Sequence, residues 1–367
     1  MTTRSLIPLG ALTAVLLVLA VMFGGSGVAS TERQTVQLLP ELADRDQPIT
    51  SVRVVTARHD LRLSKQGELW RVDEPFDGFE ARIDFIDTLI DGLAELNEGE
   101  PKASDPRWHE RLGLREPEPD PDNPPEASDP ASVATRVVLR DASDRVLADV
   151  IVGVPTIGGR FGRFARRAGE DQTYLIPSPP RIAGDPQLYL PRPLFRIFPG
   201  RMRELEISHP DGDTLNIINT EQGTTAFRIR NVAAGTPIRA TPTELGQLFT
   251  VLNNFNAFDI RAASERPIDP GEAIYSTYRT WDGLTVTATS SPKTENGSGW
   301  VGLAFEASDD ASDEVVAEAA DLNERLGAWR YRVRATEFGR IVRRFDEISG
   351  ERPTPSLGPT TGPVPGP

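Results

Sequence analysis

A pattern of apolar residues that recurs at an interval of about 155 residues constrains this chain more than any other feature. In the first copy, Val52-x-Val54, Leu61-x-Leu63 and Trp70-x-Val72 follow one another. In the second, the series is Leu205-x-Ile207, Leu215-x-Ile217 and Phe227-x-Ile229. Apolar residues two apart face one side of a strand. Turn residues separate the pairs: Gln66-Gly67 in the first copy, Pro210 to Asp213 and Gln222-Gly223 in the second. A helical stripe comes next in each copy. It is Ile86, Leu89, Ile90, Leu93 and Leu96 in the first, and Leu245, Leu248, Phe249, Leu252 and Phe255 in the second. The spacing is the same residue for residue, and it is that of an amphipathic helix. Thr241-Pro242-Thr243-Glu244 supplies a cap, a first-turn proline and an acidic first turn for the second helix.

Both copies then return to strands. The first has 136–140, 146–152, 161–164 and 174–176; the second has 276–280, 284–289, 300–305 and 331–333. A helix over Val315 to Leu326 precedes the last of these. Phe338, Ile341, Val342, Phe345 and Ile348 predict a closing helix. Strands segregated from helices imply α+β layers with mainly antiparallel sheet, here in two tandem, similar modules. Module one is expected over residues 30–195, with an exposed Pro- and Asp-rich loop at 116–130. Module two is expected over 196–350, after a proline-rich boundary at 185–200. Residues 351–367 read as a disordered Pro/Gly-rich tail.

Residues 1–29 predict a membrane anchor. Leu6 to Phe23 carries no charge and is nearly all apolar. It just reaches the roughly 20 residues that span a bilayer core. Arg4 favours a cytoplasmic N-terminus, with the rest on the periplasmic side of a bacterial inner membrane. A cleavable signal peptide cut after Ala29 is the competing reading, but the run is longer than a usual signal core. Both readings export residues 30–367. The net charge of −14 argues against nucleic acid as a partner. Cysteine is absent, which removes disulfides, thiolate catalysis and Cys-ligated metals.

Chemistry-bearing motifs are weak. His59, His109 and His209 lack metal-ligand spacing and read as ordinary turn residues. Asp211-Gly212-Asp213 is a fragment of a calcium loop and reads better as a hairpin turn. Asp309 to Glu314 reads as a solvated loop. Gly158 to Phe164 has the glycines of a phosphate loop, but strand-like alternation follows where a helix is required. Its arginines, Arg160, Arg163, Arg166 and Arg167, form a basic cluster on an acidic chain. That cluster is the candidate for meeting an acidic partner or anionic glycan, against the plainer reading of charges protecting an edge strand. No motif calls for a metal, a cofactor or a catalytic residue.

Leu38-Leu39-Pro40-Glu41-Leu42, Val52-x-Val54 and Leu69-Trp70-Arg71-Val72 together resemble a bacterial family, domain of unknown function 4340. The resemblance continues through Ile83 to Leu96, Asp105 to Trp108, Arg111 to Leu114, Leu147 to Gly153, Gly159 to Gly169 and Tyr174 to Ile176. It covers about residues 30–200, and the loop at 116–130 departs from the compact family pattern. The resemblance implies a single-pass, envelope-facing protein that serves an ABC-type export system of the gliding-motility kind as an accessory subunit. Its partners would be the permease and ATPase. It brings no catalytic residues. The alternative is a periplasmic ligand- or glycan-binding module that uses the cleft between the two modules.

Overall fold

The computed structural model describes residues 38–350, apart from 44–47, 97–98, 157–161, 178, 225, 231 and 234. The anchor expected over Leu6–Phe23 and the tail at 351–367 lie outside the described residues. Among the described residues, no helix is long and apolar enough to cross a membrane.

The chain is α+β, built on two antiparallel sheets. In the first module a short helix α1 (Pro40–Ala43) precedes the strands β1 (Ile49–Thr56), β2 (Asp60–Gln66), β3 (Leu69–Glu74) and β4 (Phe79–Glu80). Helix α2 (Ile83–Ala94), strand β5 (Glu100–Pro101) and helix α3 (Arg107–Arg111) follow. The module ends with β6 (Thr135–Asp141), β7 (Val146–Pro155), β8 (Arg163–Arg167) and β9 (Tyr174–Ile176). The second module has β10 (Met202–Ser208), β11 (Thr214–Asn219), β12 (Phe227–Ile229), α4 (Pro242–Gln247) and β13 (Asp259–Ala262). Then come β14 (Ile274–Thr280), β15 (Leu284–Ser290), β16 (Gly299–Ala307), α5 (Asp313–Leu326), β17 (Trp329–Val333) and α6 (Ala335–Ile341).

The strand orders are β4-β3-β2-β1-β6-β7-β8-β9-β5 and β12-β11-β10-β14-β15-β16-β17-β13. Apart from the extra β4, they are the same topology. In each, a meander runs outward from the first strand and a second meander runs the other way. The strand just after the helix returns to pair with the last strand. Local detail repeats as well. The ladder of β1 with β6 is interrupted between Ile49 and Ser51, and that of β10 with β14 between Met202 and Glu204. The β6–β7 turn is closed by Asp141, whose Oδ1 accepts from the Ser143 and Arg145 amides at 2.8 and 3.0 Å. The β14–β15 turn is closed by Thr280, whose Oγ1 accepts from the Leu284 amide at 2.8 Å.

Both helical stripes are buried as the spacing implies, but their backbones differ. Helix α2 runs unbroken and buries Ile86, Leu89 and Leu93. The second stripe is not one helix: α4 stops at Gln247 and a 3-10 turn carries Thr250–Asn254. Gly246 weakens the helix interior, and a Cβ there would sit 3.0 Å from the Phe227 ring. The closing helix is also shorter than its stripe. Helix α6 ends at Ile341, and Ile348 is brought in by a turn whose carbonyl accepts the Arg239 and Ala240 amides. The short strands β4, β5 and β13 carry too few residues to show a period of two.

The modules share one apolar core. The β3–β4 hairpin of the first module inserts into the edge of the second sheet. Phe79 is buried edge-on to Trp329 and Tyr331, with ring centroids 5.1 and 6.2 Å apart. At the hairpin tip, Asp77 accepts the Ala262 amide at 3.1 Å and pairs with Arg261 at 3.4 Å. The linker is stitched to both sides. The Arg82 amide donates to Tyr189 O, and the Leu194 and Ile197 amides donate to Phe255 O and Leu252 O.

Candidate functional site

Each sheet packs its amphipathic helical stripe on one face, so the other face is where the modules can differ. In the first module that face is closed. Val137, Val138 and Leu139 of β6 are buried in succession, as are Val150, Ile151 and Val152 of β7. Consecutive burial means that both faces of the sheet are covered. The cover is the crossover from β5 to β6, residues 102–134. The Val154 amide donates to Leu112 O at 2.9 Å, and Leu114 is fully buried. A Cβ at Gly153 would lie only 2.0 Å from Leu112 O, so glycine alone allows this approach.

The arginines singled out from the sequence lie on or near β8, and Arg166 is the one that meets the crossover. Arg163 Nε donates to Gly153 O at 2.9 Å. Arg166 is buried, and its guanidinium donates to Leu114 O at 2.7 Å and to Arg167 O and Glu170 O at 3.3 Å. Arg167 Nε donates to Leu38 O at 2.5 Å, and its Nη1 meets the Glu170 carboxylate. Three guanidiniums thus tie the crossover, β8 and the N-terminal segment together. Burial pushes Arg163 and Arg166 below the usual arginine value. Arg160 lies outside the described residues.

In the second module the corresponding crossover, residues 263–273, is much shorter, and the face stays open. Strands β14 and β15 alternate strictly between buried and solvent-facing residues. The outward set includes Tyr275, Thr277, Thr285, Thr287 and Thr289, with Trp300 on β16. Beside them β17 presents Arg330 and Arg332, flanking the buried Tyr331. Arg334 follows in extended backbone (φ −65°, ψ 155°), which keeps the alternation going. Cross-strand neighbours are Gly302 and Arg261 for Arg330, and Trp300 and Asp259 for Arg332.

These guanidiniums have few acceptors. Arg330 donates to Trp329 O at 2.9 Å, and it lies over Gly302, where a Cβ would be 2.7 Å from its Nη1. Arg332 sits over the Phe258 ring at 5.4 Å, and Arg266 over the Trp300 ring at 5.5 Å. The Nε atoms of Arg330 and Arg332 are buried without a hydrogen-bond partner among the described residues. Such donors cost about 1–3 kcal/mol each. Arg261 stands directly opposite Arg330, and like charges so placed are destabilising. Burial pushes Asp259 up from the ordinary carboxylate range, although Arg261, Arg332 and Arg266 pull it down. Burial likewise lowers Arg330.

The strip runs into a pocket of about 370 Å³ at the linker. Gln187 and Arg192 of the linker, Asn256, Phe258, Arg334 and Glu337 line it. Asn256 Oδ1 and Glu337 Oε2 are further buried atoms without a partner among the described residues. A signal for this strip was present in the alternation Arg330-Tyr331-Arg332-Val333-Arg334, which reads as a strand with one cationic face.

The remaining candidates serve the fold. Asp211 pairs with Arg344 at 2.5 Å, and Asp213 accepts the Phe345 amide at 3.2 Å. His109 Nε2 lies 3.1 Å from Asp171 O, and His209 Nδ1 3.3 Å from Arg344 Nη1. Burial lowers His59. Among the described residues no group of three or more His, Asp or Glu is placed to hold a metal ion.

The molecule is thus a duplicated antiparallel scaffold with one face sealed and its counterpart open and basic. A family model described as Domain of unknown function (DUF4340) matches residues 70–273, more than half of the chain, and the chain belongs to that family. The match begins in β3 and ends just before β14, so it spans both modules, further along the chain than the resemblance at 30–200. No curated protein and no solved structure matches the chain.

Proposed function

We propose that this chain is a non-enzymatic, membrane-anchored accessory protein that acts by holding a protein partner. An ABC-type export system is the setting that the family resemblance suggests. The observation that carries the reading is the contrast between two copies of one sheet. The first uses its outer face to bury its own crossover. The second leaves much of the same face uncovered and lined by hydroxyls, aromatic rings and arginines. A face kept open at a cost in unpaired donors suits recognition.

The test is affinity capture of the tagged full chain from native membranes in mild detergent, with mass-spectrometric identification. Stoichiometric recovery of permease and ATPase subunits is expected. Recovery of the bait alone, where other membrane complexes survive, would overturn the reading.

A second reading is favoured by the pocket at the linker, where buried polar atoms of Asn256 and Glu337 lack partners among the described residues. There the chain would bind a small polar ligand between linker and second module. Thermal stabilisation of the isolated bait by a polar metabolite set, lost in Asn256→Leu, would favour this reading.

A further inference from the structure

We propose that the strip formed by Arg330, Arg332 and Arg334 is a docking site for an extended acidic peptide segment of a protein partner, with carboxylates at alternate positions. The inference rests on the accessory-protein reading and names the partner's chemistry. Three observations carry it.

The first is spacing. Alternate residues of a strand lie about 7 Å apart on one face. Arg330, Arg332 and Arg334 therefore present three cations in a line about 13–14 Å long. A single small anion cannot bridge that distance. An extended peptide with acids at alternate positions repeats at the same interval.

The second is the supply of donors. Arg332 and Arg334 make no hydrogen bond or ion pair through their side chains among the described residues, and Arg330 makes one bond, to a backbone carbonyl. A planar guanidinium pairs a carboxylate through two parallel bonds. The β8 arginines, in contrast, are occupied by carbonyls of their own chain.

The third is charge. On a chain of net charge −14 this patch gathers Arg261, Arg266, Arg330 and Arg332 near Asp259, with Arg334 beside Glu337 at the pocket. Asp77 engages Arg261 from the first module. Arg330 gives one donor to Trp329 O, so of the three cations in the strip Arg332 and Arg334 are the least occupied for an incoming acid. Recognition would be through side chains, because β17 is an interior strand and the Ala262 amide on the edge strand is taken by Asp77.

The probe is a fluorescent ten-residue peptide with Asp at alternate positions, titrated against the full chain in detergent by anisotropy at low salt. Saturable binding is expected, weakened about tenfold by Arg332→Gln and again by Arg334→Gln. Arg140→Gln, on the first module, should leave it unchanged. Asp259→Asn should tighten it by removing the internal competitor. Arg334 is exposed, so its variant keeps the test valid if Arg332→Gln fails to fold.

Binding that survives both substitutions would overturn the proposal. Tighter binding of polygalacturonate than of the peptide would overturn the peptide assignment. If membrane capture recovers a partner equally well with Arg332→Gln/Arg334→Gln, this inference fails while the accessory reading stands. If wild type captures nothing, the accessory reading itself fails.

Discussion

The two modules share a strand order, a ladder interruption at the same place and a side-chain cap in the same turn, yet they treat one face of the sheet in opposite ways. In the first, the long crossover buries Leu114 and sets its carbonyl on Arg166 of β8. In the second, the crossover is short and the arginines of β17 keep their donors. The comparison teaches that the crossover decides whether this scaffold closes on itself or offers a surface. Between two sheets of one strand order, the length of this single connection separates the covered face from the open one.

The sharpest way to break this comparison is to truncate one side chain on each face. Ile151 is fully buried beneath the crossover. Ile151→Ala should cost about 2–5 kcal/mol. Thr287, at the corresponding kind of position on the open face, should tolerate Ala within about 0.5 kcal/mol. Urea denaturation of both variants checks the pair. Equal costs would mean that the second face is covered too.

Two glycines offer a second contrast. At Gly153 a Cβ meets a backbone carbonyl that is held by the crossover, so Gly153→Ala must shift main chain. A cost of about 1–3 kcal/mol is expected, at the upper end because the obstacle is rigid. At Gly302 the obstacle is the end of the Arg330 side chain, which can swing outward. Gly302→Ala should cost less than about 1 kcal/mol. Its effect should show instead as altered peptide binding at the strip.

Much of this architecture was legible in the sequence. The strand pairs and helical stripes appear because periods of 2 and 3.6 survive wherever one face is buried. Strands β5 and β13 were not legible, since two to four residues carry no period. Yet they close each sheet and fix where the crossovers start. The partners of Arg166 and Arg167 were invisible for another reason. They are carbonyls of Leu114 and Leu38, far away in the sequence. A basic cluster read from neighbouring letters cannot be told from one already satisfied by distant backbone. The alternating arginines after Trp329 were readable as a one-sided strand, but only the open face gives that pattern its meaning.

The arginines themselves can be compared by neutral substitution. Arg166→Gln removes a bond to Leu114 O and strands a buried carbonyl, and should cost about 1–3 kcal/mol. Arg332→Gln removes a guanidinium that has no hydrogen bond to lose among the described residues, only the Phe258 ring beneath it and the charge of Asp259 opposite. Its effect on stability should stay within about 0.5 kcal/mol in either direction. Thermal melts at low and high salt separate the two. A large loss in Arg332→Gln would mean that the strip is structural after all.

The smallest effect expected is one of pH, and here the modules again differ in sign. Asp60 in the first module is held below the ordinary carboxylate range, chiefly by the hydrogen bond from Arg53 at 2.7 Å and then by Arg62, against some burial. A depressed carboxylate stabilises the fold above its unfolded pKa of about 3.9, and loses that contribution as pH falls through its folded value. Asp259 in the second module is raised, because burial outweighs its arginines. Its contribution runs the other way: present below the ordinary range, and lost as pH rises through the raised value. Urea midpoints followed from pH 7 down to pH 3 should therefore show a shallower acid-side loss in Asp60→Asn than in wild type. Asp259→Asn should equal or slightly exceed wild type at pH 7, with the gap closing as pH falls. If Asp259→Asn is instead destabilised most at pH 7, the ionised carboxylate is an anchor for Arg261 and Arg332, and the open face holds fewer free cations than its geometry suggests.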